Sequence, residues 1–194
     1  MAGGGDLGRT EAVTLVLAST SPQRSAILEQ LGIPFDVVAP TYEELGDDPL
    51  EHAAGKARSV DGGDRPVLGV DTIVRCGGAI LGKPEHEGEA EKMLEQLSGK
   101  QHEVVSGLCL RTFAWEELRT ETTLVTFRVL TPRDLAWYLG TGEWEGRAGG
   151  YAIQGRGAAL VERIDGDYLN VVGLPAATLV AVLAERFPGL YGFG

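Results

Sequence analysis

The chain has 194 residues, of which 43% are hydrophobic, and its formal net charge at pH 7 is −11. This length and apolar content allow one substantial core, while the acidic balance excludes a nucleic-acid backbone as the main partner, because duplex binding needs a basic face. No window reaches the roughly 18 consecutive apolar residues of a membrane span, and Met1–Ala12 lacks an apolar signal region. We therefore expect a cytoplasmic protein without a membrane partner, beginning with a flexible, glycine-rich tail at residues 1–12.

The first predicted element is a buried strand, Val13–Ala18, which leads directly into a helix. Ser21 can cap this helix, Pro22 suits its first position and Gly32 closes it. A strand that meets a helix N-terminus leaves backbone N–H groups and the positive end of the helix dipole at one spot, which suits an anion. Arg24 opposes the dipole, so a bound phosphate explains it better than helix stability does; the alternative is a solvated arginine at an ordinary junction.

Strands and helices alternate in the first half of the chain, and long strands dominate its middle. The predicted strands are Phe35–Ala39, Pro66–Val70 with Asp71-Thr72 at or near its exit, Ala79–Leu81, His102–Phe113, Glu117–Leu130 and Ala158–Ile164, the last followed by an Asp165-Gly166-Asp167 turn and Tyr168–Val172. Four more helices are predicted after the first one. One begins at Asp48-Pro49, one covers Glu87–Leu97, one runs from a capping box at Thr131-Pro132 to Leu139, and the last covers Pro175–Phe187. The pattern predicts an α/β fold, an extended twisted mixed sheet with flanking helices and a central cleft between two lobes.

Five charged residues in short turns or at helix edges could carry chemistry: the carboxylates Glu44 and Asp71 and the cations Arg24, Lys56 and Lys83. Each also has an ordinary explanation. Asp71 could cap a backbone N–H at a turn, Lys56 could lie along a helix edge, and Lys83 and Glu44 could be solvated surface charges. If Glu44 and Asp71 are neighbours, a cation must lie between them, because two carboxylates close together repel each other.

Histidine and cysteine residues do not form a recognisable catalytic set. His52, His86 and His102 lie in ordinary helix or loop-start contexts, and we expect them to be structural or exposed. Cys76 and Cys109 are too few for a disulfide framework and neither belongs to a Cys-x-x-Cys pair. We therefore expect two reduced cysteines in or near the core and no nucleophile activated by histidine.

Six segments resemble the Maf family in order and spacing, from about Leu15 to Leu183. They are LASTSPQR at 17–24, GVDTIV at 69–74, LGKP at 81–84, LSGKQH at 97–102, AGGYAIQG at 148–155 and NVVGLP at 170–175. The resemblance implies a single Maf-like catalytic domain at 13–194, similar in fold to the inosine triphosphate pyrophosphatases. It also implies hydrolysis of nucleoside triphosphates to the monophosphate and pyrophosphate with a divalent metal, Mg²⁺ or Mn²⁺, in nucleotide-pool sanitation or cell-division control, and it leaves a homodimer open.

The resemblance assigns roles to the charged residues. It makes Asp71 the base-like carboxylate and Glu44 the carboxylate that organises metal or water, so these two are the expected metal ligands. Lys83 joins them in the catalytic group. The residues implied to bind substrate phosphates are Ser19, Ser21, Arg24, Lys56 and Lys83.

Three positions concern the choice of nucleotide. Asp71-Thr72 and the Ile-Gln-Gly around Gln154 match the branch of dTTP/UTP pyrophosphatases, whereas the 7-methyl-GTP branch has Asp-Gln and Ser-Glu-Gly. Gln23 departs from the pyrimidine branch, which usually has two consecutive arginines here, and a neutral amide cannot replace a guanidinium. The resemblance thus implies dTTP or UTP as substrate, with Gln23, Thr72 and Gln154 as specificity positions. The alternatives are a 7-methyl-GTP or broad-specificity pyrophosphatase, and a non-catalytic regulator that senses nucleotides.

Overall fold

The computed structural model describes residues 13–193, so the predicted tail at residues 1–12 lies outside the described residues. The strands are β1 (Leu15–Ala18), β2 (Phe35–Val38), β3 (Val67–Cys76), β4 (Ala79–Leu81), β5 (Gln101–Arg111), β6 (Glu116–Phe127) and β7 (Val161–Asp165). The helices are α1 (Pro22–Gln30), α2 (Pro49–Arg58), α3 (Glu87–Leu97), α4 (Pro132–Leu139), α5 (Tyr168–Val172) and α6 (Ala176–Arg186). Among these helices, none combines the length and apolar character that crossing a bilayer requires.

The strands form one seven-stranded mixed sheet in the order β2-β1-β3-β5-β6-β7, with β4 paired to β3. β1 is parallel to both β2 and β3, and the other pairs are antiparallel. The parallel part arises because α1 connects β1 to β2 and α2 connects β2 to β3, whereas short turns join the antiparallel pairs β3-β4 and β5-β6. A mixed sheet with flanking helices confirms the predicted fold class.

Alternating side chains of β1 separate two layers of core. Leu15 and Leu17 pack on the face covered by α1 and α6, whereas Val16 and Ala18 pack against α2 on the other face. All four residues are fully buried, as expected for a strand whose side chains alternate between two covered faces. Helix α2 therefore lies directly on one side of the parallel strands.

A third cluster fills the other end of the sheet. Phe127 of β6 packs there with residues of α3 and α4, including Leu94, Leu97 and Tyr138. The predicted bounds of α3 and α4 are confirmed, and so is the capping box of α4: the Thr131 hydroxyl accepts from the Asp134 amide at 3.3 Å and the Asp134 carboxylate accepts from the Thr131 amide at 2.8 Å.

Asp71 and Thr72 do not lie at a strand exit, so that prediction is wrong. β3 continues without a break from Val67 to Cys76 because β5 pairs with it along nearly its whole length. β1, however, pairs with β3 only at Val67 and Leu68. Asp71 therefore lies inside its own strand but beyond the end of the neighbouring parallel strand, where ligands commonly bind.

Residues 158–160 and 168–172 also differ from the prediction. Arg156–Leu160 forms a 3₁₀ helix, so the strand predicted from Ala158 begins only at Val161. A Cβ on Gly157 would lie 2.5 Å from the carbonyl oxygen of Ala152, so this turn packs too closely for an extended strand. Tyr168–Val172 is a short helix, capped by the Asp167 carboxylate, which accepts from the Leu169 amide at 2.8 Å.

Candidate active site

A cleft of about 340 Å³ opens beyond the end of β1, between α1, β3 and the segment around residues 146–154. All ten residues singled out from the sequence line it: Ser19, Ser21, Gln23, Arg24, Glu44, Lys56, Asp71, Thr72, Lys83 and Gln154. These residues come from positions up to 135 apart in the chain, and the fold brings them to one place. Their individual roles remain predictions.

Asp71 points towards α2 because of the period of β3. Val67, Gly69 and Asp71 alternate onto the same face of the strand, and α2 covers that face. A Cβ on Gly69 would lie 2.8 Å from the backbone nitrogen of Ala57, so the helix lies against bare backbone there. The close approach of helix and strand brings the next residue in this row, Asp71, against two polar side chains of α2.

Lys56 is the first of these side chains, and it bridges both candidate carboxylates. Its Nζ lies 2.6 Å from Asp71 Oδ1 and 2.6 Å from Glu44 Oε1. Lys56 and Asp71 are each 8% exposed, whereas the Glu44 side chain is half-exposed. The cation expected between the two carboxylates is therefore the Lys56 ammonium. Contact of Lys56 with a substrate phosphate stays a prediction.

His52 is the second side chain, and it was not among the predicted site residues. Its Nδ1 lies 3.3 Å from Asp71 Oδ2, its Nε2 lies 3.1 Å from the Leu45 carbonyl oxygen, and the residue is 4% exposed. One available signal was its spacing from Lys56, since residues four apart share a helix face. One ligand atom each from Glu44, His52 and Asp71 lie within 4.8 Å of one another, which is close enough to hold a metal ion.

The other two histidines are structural or exposed, as expected. His102 is buried, its Nε2 lies 2.8 Å from the Tyr151 hydroxyl, and burial lowers the pKa of its imidazole to about 4. His86 caps the exposed start of α3, where its Nδ1 accepts from the Glu89 amide at 3.3 Å. Neither ring contacts the two carboxylates of the cleft.

Arg24 connects three parts of the cleft wall. From the first turn of α1, its Nε donates to the Gly173 carbonyl at 3.0 Å and its Nη1 donates to the Ser19 hydroxyl at 3.0 Å. Burial lowers the pKa of this guanidinium, and the nearby carboxylates of Asp71 and Glu44 act in the opposite direction. The arginine is therefore held in a fixed position and is not a freely solvated side chain.

Ser21 occupies the predicted N-cap position of α1, but its side chain does not cap the helix. Its hydroxyl donates to Gln23 Oε1 at 3.2 Å, while its amide donates to the Ser19 hydroxyl at 3.1 Å. The first-turn amides of α1 therefore do not donate to the Ser21 hydroxyl. They are available to an anion in the cleft.

The remaining predicted residues lie around the cleft walls. Thr72 Oγ1 lies 2.8 Å from the Ser106 hydroxyl, and Lys83 is exposed just after β4. Gln23 and Gln154 line both this cleft and an adjoining groove of about 280 Å³ between α1 and α5. The groove adds apolar surface beside the charged part of the cleft.

The charge of the cleft differs in sign from that of the chain. Its lining has the cations Arg24, Lys56, Lys83 and Arg147 against the carboxylates Glu44 and Asp71. Arg147 was not predicted, and its buried Nε has no hydrogen-bond partner among the described residues. A cleft with net positive charge in a chain of net charge −11 suits a small polyanionic ligand and not a large partner with an extended acidic surface.

The sequence matches a protein-family model described as Maf-like protein over residues 14–186. It is similar to a dTTP/UTP pyrophosphatase of Symbiobacterium thermophilum, 46% identical over 88% of this chain and 93% of the relative. Another relative with that name, from Deinococcus radiodurans, is 42% identical over 94% of this chain and 97% of its own. A third, from Pyrococcus furiosus, is 43% identical over 87% of this chain and 93% of its own.

Proposed function

The chain belongs to the Maf family, and we propose that it is a hydrolase that converts nucleoside triphosphates, preferably dTTP and UTP, to the monophosphate and pyrophosphate. The observation that carries this proposal is the cleft, whose lining combines four cations with two neighbouring carboxylates in an acidic chain. Relatives that carry the name dTTP/UTP pyrophosphatase support the same reaction. We further propose that the enzyme acts on the free nucleotide pool of the cytoplasm; cell-division control and a homodimer remain predictions.

The reaction requires a water in line with the leaving pyrophosphate and positive charge to stabilise that leaving group. We assign Asp71 to orient and deprotonate this water. Its Oδ1 is held by the Lys56 ammonium at 2.6 Å, so the carboxylate has a defined orientation before substrate arrives. Arg24 and Lys83 would bind the phosphate oxygens, together with the first-turn amides of α1.

A divalent cation fits the carboxylate pair. Lys56 contacts one oxygen of Asp71 and one of Glu44, so each carboxylate keeps a second oxygen, the donor type that Mg²⁺ and Mn²⁺ prefer. Glu44 and Asp71 would hold the ion. When bound, it would neutralise phosphate charge and lower the pKa of a coordinated water.

Nucleotide preference would depend on the three specificity positions that line the cleft. We assign Gln154 to the base edge, because a carboxamide offers both a donor and an acceptor, as uracil and thymine do. Thr72, whose hydroxyl contacts that of Ser106, is the second residue that we assign to nucleotide preference. Gln23 also lines the adjoining groove, so its amide in place of an arginine would affect how tightly the nucleotide is held.

The proposal is tested by measuring pyrophosphate release from dTTP, UTP, 7-methyl-GTP and the other common triphosphates, with and without a chelator. We expect the highest kcat/KM for dTTP and UTP, and loss of activity with chelator. A preference for 7-methyl-GTP, or none, would contradict the specificity assignment. Nucleotide binding without any pyrophosphate release would favour the non-catalytic regulator.

Asp71→Asn is the sharpest variant for the mechanism. It keeps the size of the side chain but removes the base, so we expect kcat to fall roughly 10²- to 10⁴-fold, the contribution of a positioned general base. Asp64→Asn, in an exposed turn, is the matched control and should retain normal turnover. If Asp71→Asn keeps more than about a tenth of wild-type turnover, Asp71 is not the base.

A further inference from the structure

Both ring nitrogens of His52 face hydrogen-bond acceptors, although a neutral imidazole can donate from only one of them. Nε2 lies 3.1 Å from the Leu45 carbonyl oxygen, which can only accept, so Nε2 carries a proton. In a neutral imidazole Nδ1 then presents a lone pair, and 3.3 Å away is Asp71 Oδ2, also an acceptor. Two acceptors that face each other in a buried place require a positive species between them.

Lys56 does not supply that positive species. Its ammonium donates to the other carboxylate oxygen of Asp71, Oδ1. Oδ2, which faces His52, receives no hydrogen bond from Lys56. The two carboxylates and Lys56 together leave one net negative charge at this point. The remaining candidates are a proton shared between His52 and Asp71, and a metal ion.

Two features favour the metal ion. A third donor, the Glu44 carboxylate, converges on the same point, with the three ligand atoms within 4.8 Å of one another, whereas a shared proton needs only two groups. In addition, metal-binding histidines characteristically donate their second ring N–H to a carbonyl or carboxylate, which fixes the tautomer. The Leu45 carbonyl does this for His52.

We infer that His52, through Nδ1, is the third protein ligand of the divalent cation held by Glu44 and Asp71, and that the centre prefers a first-row transition metal such as Mn²⁺ to Mg²⁺. Mg²⁺ binds through oxygen ligands, whereas Mn²⁺, which also binds carboxylate oxygens, begins the first-row transition series and accepts an imidazole nitrogen beside them. The inference deepens the proposed function and rests on its metal site.

The first test measures metal binding without nucleotide, by electron paramagnetic resonance of free Mn²⁺ and by competition with Mg²⁺. The wild type should bind Mn²⁺ more tightly than Mg²⁺. His52→Leu should weaken Mn²⁺ binding at least about tenfold and change Mg²⁺ binding far less. His86→Gln, which alters an exposed histidine, should bind both ions as the wild type does. Unchanged Mn²⁺ affinity in His52→Leu, or no Mn²⁺ binding by the wild type, would overturn the inference.

The second test needs no variant and so does not depend on the folding of His52→Leu. The chain has three histidines, whose ring signals can be resolved by nuclear magnetic resonance. Substoichiometric Mn²⁺ should broaden the His52 ring first and leave His86 and His102 sharp; broadening that spares His52 would contradict the assignment. Both tests are independent of turnover, so an enzyme that binds Mn²⁺ through His52 but releases no pyrophosphate would contradict only the proposed function.

Discussion

At the scale of single residues, Lys56 determines how two carboxylates can lie side by side. Its ammonium lies 2.6 Å from an oxygen of each, and both Lys56 and Asp71 are buried. Taking one partner out of a buried ion pair leaves an uncompensated charge, which costs more than the pair itself contributes. Here the charge left behind would be that of two neighbouring carboxylates.

We therefore expect Lys56→Met to lower the free energy of unfolding by roughly 3 kcal/mol, the lower end of the range for buried pairs, because Glu44 is half-exposed. Urea unfolding measures this change. Lys92→Met removes an exposed lysine and should change the free energy of unfolding by less than about 0.5 kcal/mol. Equal effects of the two substitutions would mean that Lys56 does not stabilise the carboxylates.

His102 predicts a pH dependence of stability. Burial lowers its pKa in the folded protein to about 4, from 6.5. As the pH falls below 6.5 the unfolded chain binds a proton first, so this histidine lowers the stability progressively until the folded form also protonates near pH 4. The full loss is roughly 3 kcal/mol.

His102→Gln should therefore lose less stability than the wild type between pH 6.5 and pH 4, as measured by urea unfolding at several pH values. Carboxylates titrate in the same range, so the quantity to compare is the difference between variant and wild type. His86→Gln is the control and should follow the wild type. If His102→Gln follows it too, the buried ring is not the cause of the loss.

At the scale of elements, two glycines decide where α2 lies. A Cβ on Gly69 of β3 would lie 2.8 Å from the Ala57 backbone nitrogen, and one on Gly107 of β5 would overlap the Pro49 carbonyl and lie 2.5 Å from Leu50 Cα. Neither glycine has a left-handed backbone, so the obstacle to a side chain is space. The absence of both side chains lets α2 place Lys56 and His52 against Asp71.

We expect Gly107→Ala to push α2 away from the sheet. Overpacking of this kind costs roughly 1–3 kcal/mol, and here the obstacle is backbone, which cannot move aside as a side chain can. Because α2 carries Lys56 and His52, kcat should fall together with the stability. Thermal unfolding and pyrophosphate release measure the two effects.

Gly88→Ala is the matched control for Gly107→Ala. A Cβ on Gly88 would meet only the His86 ring at 3.5 Å, an ordinary contact, and the residue lies in the first turn of α3. Alanine favours a helix over glycine, so this variant should be as stable as the wild type or more so. Normal activity of Gly107→Ala would show that the position of α2 tolerates the added methyl group.

At the scale of the whole molecule, the dominant electrostatic term is the excess of acidic residues, 28 against 17 basic ones. Exposed ion pairs such as Arg58–Glu116 and Arg65–Asp36 stabilise the folded protein against this repulsion, but pairs of this kind contribute only about 0–1 kcal/mol of stability each. Repulsion among the unpaired acids acts over the whole surface and destabilises the compact state.

We therefore expect the melting temperature at pH 7 to rise when NaCl is added from low ionic strength to about 0.15 M, where the Debye length is about 8 Å. Screening should remove more repulsion than it removes attraction from the surface pairs. The same series near the isoelectric pH is the control and should show little change. A fall in melting temperature at pH 7 would mean that the surface ion pairs outweigh the repulsion.

The sequence by itself determined the elements whose stability is local. The start of α4 follows from the Thr131-Asp134 capping box, and α3 follows from its apolar stripe, because these interactions lie within a few residues of one another. Sequence motifs shared with a family also identified ten of the residues that line the cleft, although not Arg147. Ala158–Leu160 was predicted as strand but belongs to a 3₁₀ helix that no side chain caps.

Only the tertiary structure decided how the cleft residues meet. Lys56 lies between Glu44 and Asp71, and His52 faces Asp71, because α2 rests on the bare backbone of the sheet. Residues 52 and 71 lie on different elements, so their spacing in the sequence carries no information on their distance. The pairing of β3 with β5 extends the strand past β1 and places Asp71 in the cleft, and such long-range pairing is determined by the whole fold.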